Sequence, residues 1–380
     1  MRLRAILLVL ALASGLAAFG FAIQNAGETG LIVHEWGTFT SIAGENGMAL
    51  DWRPLTATND LPRFVHNMVA SGLRHDCQKC DLTGKIRMET PVLYFYTDRD
   101  TDVTVRVDFP KGTITEWYPS VRMIGSSIDW GRITVLPRAM SSLPVEDGPN
   151  RYYAARETDA ALLRVCNTNG RTTEFEKFLF YRGVGGFDPP VSVKLDGNHL
   201  QLTGLGGIAQ VVVFENRGGN VGFRIVAVNA DSATIERPAL GDPLAALRAA
   251  MQQTLVSQGL YEKEAKAMLE TWRDSWFEEG LRVFYILPRP LTDSVLPVTI
   301  SPQPTQLLRV LVSRVEIITP EMENAMRAEL KQLEDPSPEV RATARAALRQ
   351  YGRFAEPVLK RMLRGDNDIA HARLVEGILG

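Results

Sequence analysis

The chain has 380 residues, 45% of them hydrophobic, and 42 basic side chains against 44 acidic ones give a formal charge of −2. That length supplies one large domain or two ordinary ones. The balanced charge and the lack of a basic block argue against nucleic acid as a partner.

The first residues carry an address. Arg2 and Arg4 precede an uncharged run from Ala5 to Ala22 that is rich in Leu, Ala, Val and Phe. A basic start, an apolar centre and small residues near its end define a secretory signal, with Gly20 and Ala22 at the −3 and −1 positions. The run also approaches membrane-spanning length, so an uncleaved N-terminal anchor is the alternative. The first cysteine is Cys77, so a lipoprotein cleavage site is absent, and no second apolar run is long enough to span. Residues 1–22 are therefore expected to be a signal peptide or anchor. The rest is expected to lie outside the cytoplasm, periplasmic or extracellular, touching a membrane only through that segment.

From Leu31 to about Pro238 the pattern is β. Runs of Val, Ile, Thr, Phe and Tyr at 31–42, 92–98, 103–109, 113–118, 132–136, 176–182, 191–195, 209–216 and 222–228 read as strands. Turn residues such as Asp196-Gly197-Asn198 and Arg217-Gly218-Gly219-Asn220 separate them. Short strands joined this way predict antiparallel pairing in a sandwich or barrel, and the lack of strand–helix alternation argues against a doubly wound nucleotide-binding fold. Residues 43–85 are less regular, with a short helix expected at 61–72.

The period changes at Gly241. Asp242 is expected to cap a helix over 244–257 that Gly259 ends, and a second helix follows over 262–279 with Ala265, Met268, Leu269, Trp272 and Trp276 on one stripe. Strands return at 281–288, 296–300 and 307–318. The fold class expected is mainly β with α: an antiparallel β-sandwich body over 23–319, a helical pair at about 242–280 returning to strands, and a small α-helical segment over 320–380.

That last segment resembles a HEAT-type repeat. Asp335, Val340, Arg341, Ala344, Ala347, Leu348 and Gly352 match the repeat's spacing. Asp335 is expected as the cap, and Val340, Ala344 and Leu348 should pack on Val358, Leu359 and Met362. Arg341, Arg345, Arg349, Lys360, Arg361 and Arg364 should form a solvated basic face. One repeat buries little surface alone, so it should dock on the β body or on a protein partner.

The β region also resembles a group of exported, largely uncharacterised bacterial proteins. Its counterparts of that group's motifs are Pro91–Tyr96, Val103–Phe109, Gly112, Thr115 to Pro119, Trp130–Val135, Phe178–Gly183, Gly259–Leu260 with Glu264, Trp272, and Val298 to Val310. Residues 31–87 and the C-terminal repeat are additions to that pattern. The resemblance implies an exported β-rich module and carries no activity with it.

The sharpest chemical feature is His75-Asp76-Cys77-Gln78-Lys79-Cys80. His75, Cys77 and Cys80 could hold a soft metal with His66 as a fourth ligand, or the two thiols could act as a redox pair. A local Cys77–Cys80 disulfide in an oxidising compartment, or two idle thiols, is the simpler reading, and Cys166 is left over. His34 and Glu35 are adjacent on a strand, so they point to opposite faces, and His34 is expected to be a structural histidine near a sheet edge. Carboxylates stand beside aromatics at Glu116-Trp117-Tyr118 and Asp129-Trp130, and a further acidic pair is Glu278–Glu279; glycosidases use such pairs. Trp272 and Trp276, four apart, suit core packing. No nucleophile elbow, Walker loop or dinucleotide fingerprint occurs, and the glycine-rich stretches 183–186 and 204–207 read as turns.

No catalytic residue and no cofactor is assigned from the sequence. The expectation is an exported, non-catalytic binding or structural protein of the cell envelope. The alternative is an envelope-polymer hydrolase using carboxylates or a loop-borne metal, whose titratable groups should converge in one concave pocket.

Overall fold

The computed structural model describes residues 30–55, 60–68, 82–166, 172–351 and 355–363. The first strands in chain order are β1 (Ile32–Ala43), β2 (His66–Asn67), β3 (Ile86–Tyr96), β4 (Thr101–Asp108), β5 (Gly112–Tyr118) and β6 (Met123–Ile124). Next come β7 (Ser127–Leu136), β8 (Leu162–Cys166), β9 (Thr173–Glu176), β10 (Leu179–Gly185), β11 (Ser192–Asp196) and β12 (His199–Thr203). The last are β13 (Gln210–Arg217), β14 (Asn220–Ala227), β15 (Ser232–Glu236), β16 (Gly280–Ile286), β17 (Val298–Ser301) and β18 (Gln306–Ile317). The helices are α1 (Leu244–Ser257), α2 (Glu262–Thr271), α3 (Arg273–Trp276), α4 (Arg289–Val295), α5 (Pro320–Gln332), α6 (Pro338–Gln350) and α7 (Ala355–Leu363).

The chain is mainly β, with several sheets and no barrel. A nine-stranded sheet runs in the order β14-β13-β16-β18-β1-β3-β10-β5-β2, beside a six-stranded and a three-stranded sheet. Both faces of the large sheet are covered, which is why β1 is buried almost throughout. Its odd positions Val33, Phe39 and Ala43 join a core shared with the smaller sheets through Val105, Ile133, Val193 and Leu200. Its even position Trp36 joins a second core with α1, α2 and the turn at Arg151–Arg156, through Leu247, Met268 and Tyr152. The order is therefore small sheets, large sheet, helices.

Several expectations need correction. The body is not wholly antiparallel: β1 pairs with β18 in parallel, Ile32 opposite Gln306 and Ala43 opposite Ile317. The two strands are far apart in sequence, so no hairpin forces them antiparallel. Residues 61–68 form turns and β2, not a helix, and 69–72 lie outside the described residues. β8, β9, β12, β15 and α4 went unread because each is too short to show a period.

Asp242 does not cap α1; Pro243 occupies that position, and Asp242 Oδ2 accepts instead from the amide of Phe223 at 3.0 Å. The second helix ends at Thr271 rather than 279, and α3 follows separately. Gly280 begins β16.

At the C-terminal end Ser337, not Asp335, caps α6. Ala344 and Leu348 pack with Val358 and Leu359 as expected, but Met326 of α5 and Leu333, which follows it, complete the cluster in place of Val340. The basic face is partly engaged: Arg341 donates to the carbonyls of Asp335 and Pro336, Lys360 pairs with Glu356, and Arg361 pairs with Glu323. Residues 1–29 lie outside the described residues, and no helix among the described ones is long and apolar enough to cross a membrane.

Candidate functional site

On the helix-facing side of the large sheet, six strands change character along one line. β1 passes from Trp36 to Thr38 and Thr40, β3 from Tyr94 and Val92 to Glu89 and Arg87, and β10 from Phe180 to Arg182. β5 passes from Tyr118 to Glu116, β18 from Val312 to Arg314 and Glu316, and β16 from Phe284 to Arg282. Residues two apart on a strand share a face, so β5, β10, β16 and β18 keep one face while exchanging apolar for charged side chains; β1 exchanges Trp36 for threonines, and on β3 the register shift opposite Trp36 and Thr38 brings Glu89 and Arg87 to the face of Val92. The pairing aligns these exchanges: Thr38 opposes Glu89, Thr40 lies between Arg87 and Arg314, Arg282 opposes Glu316 and Arg182 opposes Glu116. The result is a stripe of buried charge across the sheet.

The boundary is marked by irregular backbone. Register shifts separate Trp36 from Thr38 on β1 and Arg182 from Gly183 on β10. Thr90, at φ 51°, is the one non-glycine residue with positive φ among the described residues. A β-branched residue there is strained, and bulges and strain cluster next to functional sites. Gly37 sits against the same bulge, where a Cβ would lie 2.9 Å from Pro91 Cα.

Every charge in the stripe has partners. Arg182 Nη1 donates to Asp60 Oδ1 at 2.7 Å, Arg151 donates to the same carboxylate, and Arg182 also reaches Thr90 Oγ1 at 3.4 Å. Arg87 pairs with Glu116 at 3.2 Å and donates to Thr115 Oγ1 at 3.1 Å. Glu89 accepts from Thr40 Oγ1 at 2.8 Å. Arg314 binds Ser275, Glu278 and Glu316. Arg282 pairs with Glu316 and donates to the carbonyls of Trp276, Glu278 and Glu279, which fixes the chain after α3. Burial would raise the pKa of Asp60, but Arg182 and then Arg151 outweigh it and hold the carboxyl far below the ordinary range.

Over this floor lies a cavity of about 900 Å³. Its opposite wall is apolar and comes from Ile318, from Met322 and Ala325 of α5, and from Ala347 of α6 with the following Tyr351. The exposed side chains of Arg217, Asp274, Glu278, Glu279 and Glu321 form its rim. Arg53 bonds Glu356 of α7 through its amide, at 2.7 Å, and its guanidinium, tying the C-terminal helices to the body. Buried ion pairs add little net stability, because desolvation offsets their attraction. So dense a set beside an open cavity is better explained by a ligand than by folding.

The residues singled out in the sequence scatter. His75, Cys77 and Cys80 lie outside the described residues, so their disulfide and metal readings have no geometry here. His66 is away from the cavity, bonded to Glu174 at 3.0 Å and Ser120 at 3.2 Å beside a cleft of about 290 Å³. Among the described residues no group of three His, Cys, Asp or Glu could hold a metal, and Cys166 is a free, exposed thiol. His34 and Glu35 do point to opposite faces. His34 Nδ1 meets Glu264 at 2.9 Å on the helix side, while Glu35 binds Tyr181 and Arg309 on the other. Their strand is central, which corrects the expectation of a sheet edge.

Of the carboxylates beside aromatics, Glu116 and the Glu278–Glu279 pair reach the cavity, whereas Asp129 turns to the amide of Gly131 at 2.7 Å. Trp272 and Trp276 are buried and stacked at 6.3 Å between ring centroids. The residues missed were Asp60, Arg87, Glu89, Arg182, Arg282, Arg314 and Glu316. The available signal was charge at alternate positions inside apolar strands, as in Val310-Leu311-Val312-Ser313-Arg314-Val315-Glu316. The chain matches no family model and no curated protein.

Proposed function

We propose that the protein is an exported, non-catalytic binding protein of the cell envelope, with its ligand held in the cavity between the charged stripe and the C-terminal helices. The observation that carries the reading is the stripe itself, with Arg87, Arg182, Glu89 and Glu116 each no more than 4% exposed yet all lining an open cavity. The export part rests on Arg2, Arg4 and the apolar run to Ala22. The C-terminal segment is read as a HEAT-like repeat docked on the β body as the cavity's roof.

The electrostatics of three of the cavity's carboxyls suit binding. A general acid needs a carboxyl kept protonated near neutral pH. At this cavity Asp60, Glu215 and Glu321 are displaced downward. Burial opposes that direction at Asp60 and Glu215, where arginines outweigh it, and at Glu321 the Thr319 hydroxyl leads.

The second reading, an envelope-polymer hydrolase, is favoured by Glu89 and Glu116 sharing one floor. Two experiments test the proposal. Residues 1–40 fused to a reporter active only after export should give signal, and a silent but well-expressed fusion would count against export. Purified protein incubated with envelope polysaccharide should retain it without releasing fragments; release that Glu116→Gln abolishes would favour the hydrolase.

A further inference from the structure

We infer that the cavity's ligand is a neutral polyhydroxylated chain, an oligosaccharide, an assignment that rests on the cavity being the ligand site. The argument starts from what the floor already satisfies. Arg182 is paired with Asp60, Arg87 with Glu116, and Arg314 with Glu316 and Glu278. A charged ligand that displaced a member of these pairs would leave the other buried and uncompensated, which is strongly unfavourable. A hydroxyl avoids that cost. It donates to a spare carboxylate lone pair and accepts a spare guanidinium N–H, so it adds bonds without breaking an ion pair.

The opposite wall completes the match. Met322, Ala325, Ala347 and Tyr351 present apolar surface and an aromatic ring to the same space. A sugar ring has hydroxyls around its edge and C–H groups on its faces, so the edge meets the floor while a face meets the roof. The volume of about 900 Å³ is near the upper end of small-ligand sites and takes several linked rings, and the exposed rim lets a longer chain continue outward.

The test titrates the purified chain by calorimetry with cellobiose, N,N′-diacetylchitobiose and maltotriose, and with trilysine, triaspartate and inorganic phosphate as charged probes. At least one saccharide should bind with a Kd below about 1 mM. Arg182→Lys keeps the charge but loses the planar fork and should weaken that binding about tenfold. Tyr351→Ala on the roof should weaken it by a similar factor, with both variants checked for unchanged circular dichroism. Saccharide binding indifferent to both substitutions would overturn the inference and the cavity reading together. A charged probe that binds in a Tyr351-dependent way while every saccharide fails would overturn the ligand class alone. Failure of every probe would overturn the inference, and the cavity reading would then stand or fall on the polysaccharide experiment above.

Discussion

Arg182 and Asp60 join β10 of the large sheet to a loop 122 residues earlier, through two guanidinium contacts of 2.7 and 3.2 Å. Arg182 is 4% exposed, whereas Asp60 is about a third exposed. The pair therefore holds a buried cation against a carboxylate at the cavity's margin, which fixes the floor and leaves it within a ligand's reach.

Removing Asp60 should destabilise the fold through the charge it leaves behind. A fully buried broken pair costs about 3–5 kcal/mol; with Asp60 partly solvated and Glu116 nearby, Asp60→Asn should cost about 2 kcal/mol. Urea denaturation would measure it. No loss would mean that Arg182 is solvated or otherwise paired.

Thr90 offers the opposite trade. Its left-handed backbone costs about 1–2 kcal/mol, while glycine costs about 0.5–1 kcal/mol in chain entropy. Thr90→Gly should therefore leave stability unchanged or slightly raised, yet weaken ligand binding by loosening Arg182. A clear drop in melting temperature would show that the strain has been misjudged.

The roof should respond to acid. Burial alone would raise the pKa of Glu356, but Lys360 and Arg53 outweigh it and lower the value below the ordinary carboxylate range. The folded pKa thus lies below the unfolded one, so the contact stabilises above the unfolded value and fades as pH falls through the folded value. Glu356→Gln should lower the melting temperature more at pH 7 than at pH 3. An equal deficit at both pH values would contradict the linkage.

The small C-terminal cluster gives a further check. Leu348 is fully buried among Met326, Leu333 and Val358. Leu348→Asp places a charge there with no partner and should cost about 3 kcal/mol or more. Thermal melts would show it, and an unchanged midpoint would refute the packing.

Local signals were legible in the sequence where the chain decides structure by itself. The helix at 244–257 and the strand at 31–42 were read almost to the residue, because long periodic runs and glycine stops act locally. The site was not legible, because it exists only through pairing across strands. Arg314 and Glu316 look like a solvated strand end until β1 and β16 flank them, and Arg182 looks like a strand terminus until Asp60 reaches it. Glu116 was noticed for its aromatic neighbours, yet those neighbours divide between the two cores, Trp117 in one and Tyr118 in the other. Pairing with β18, 263 residues from the end of one strand to the start of the other, leaves no mark in either strand's own sequence.

Filling the cavity tests the central claim most directly. Ala347 lines the roof opposite the charged stripe, and Ala347→Trp would occupy the space without touching an ion pair. Calorimetric titration of this variant with the saccharide that the unsubstituted protein binds is the decisive measurement. The account predicts a melting temperature within a few degrees of the parent and binding weakened at least about tenfold. A folded Ala347→Trp protein that binds the saccharide as tightly as its parent would contradict it.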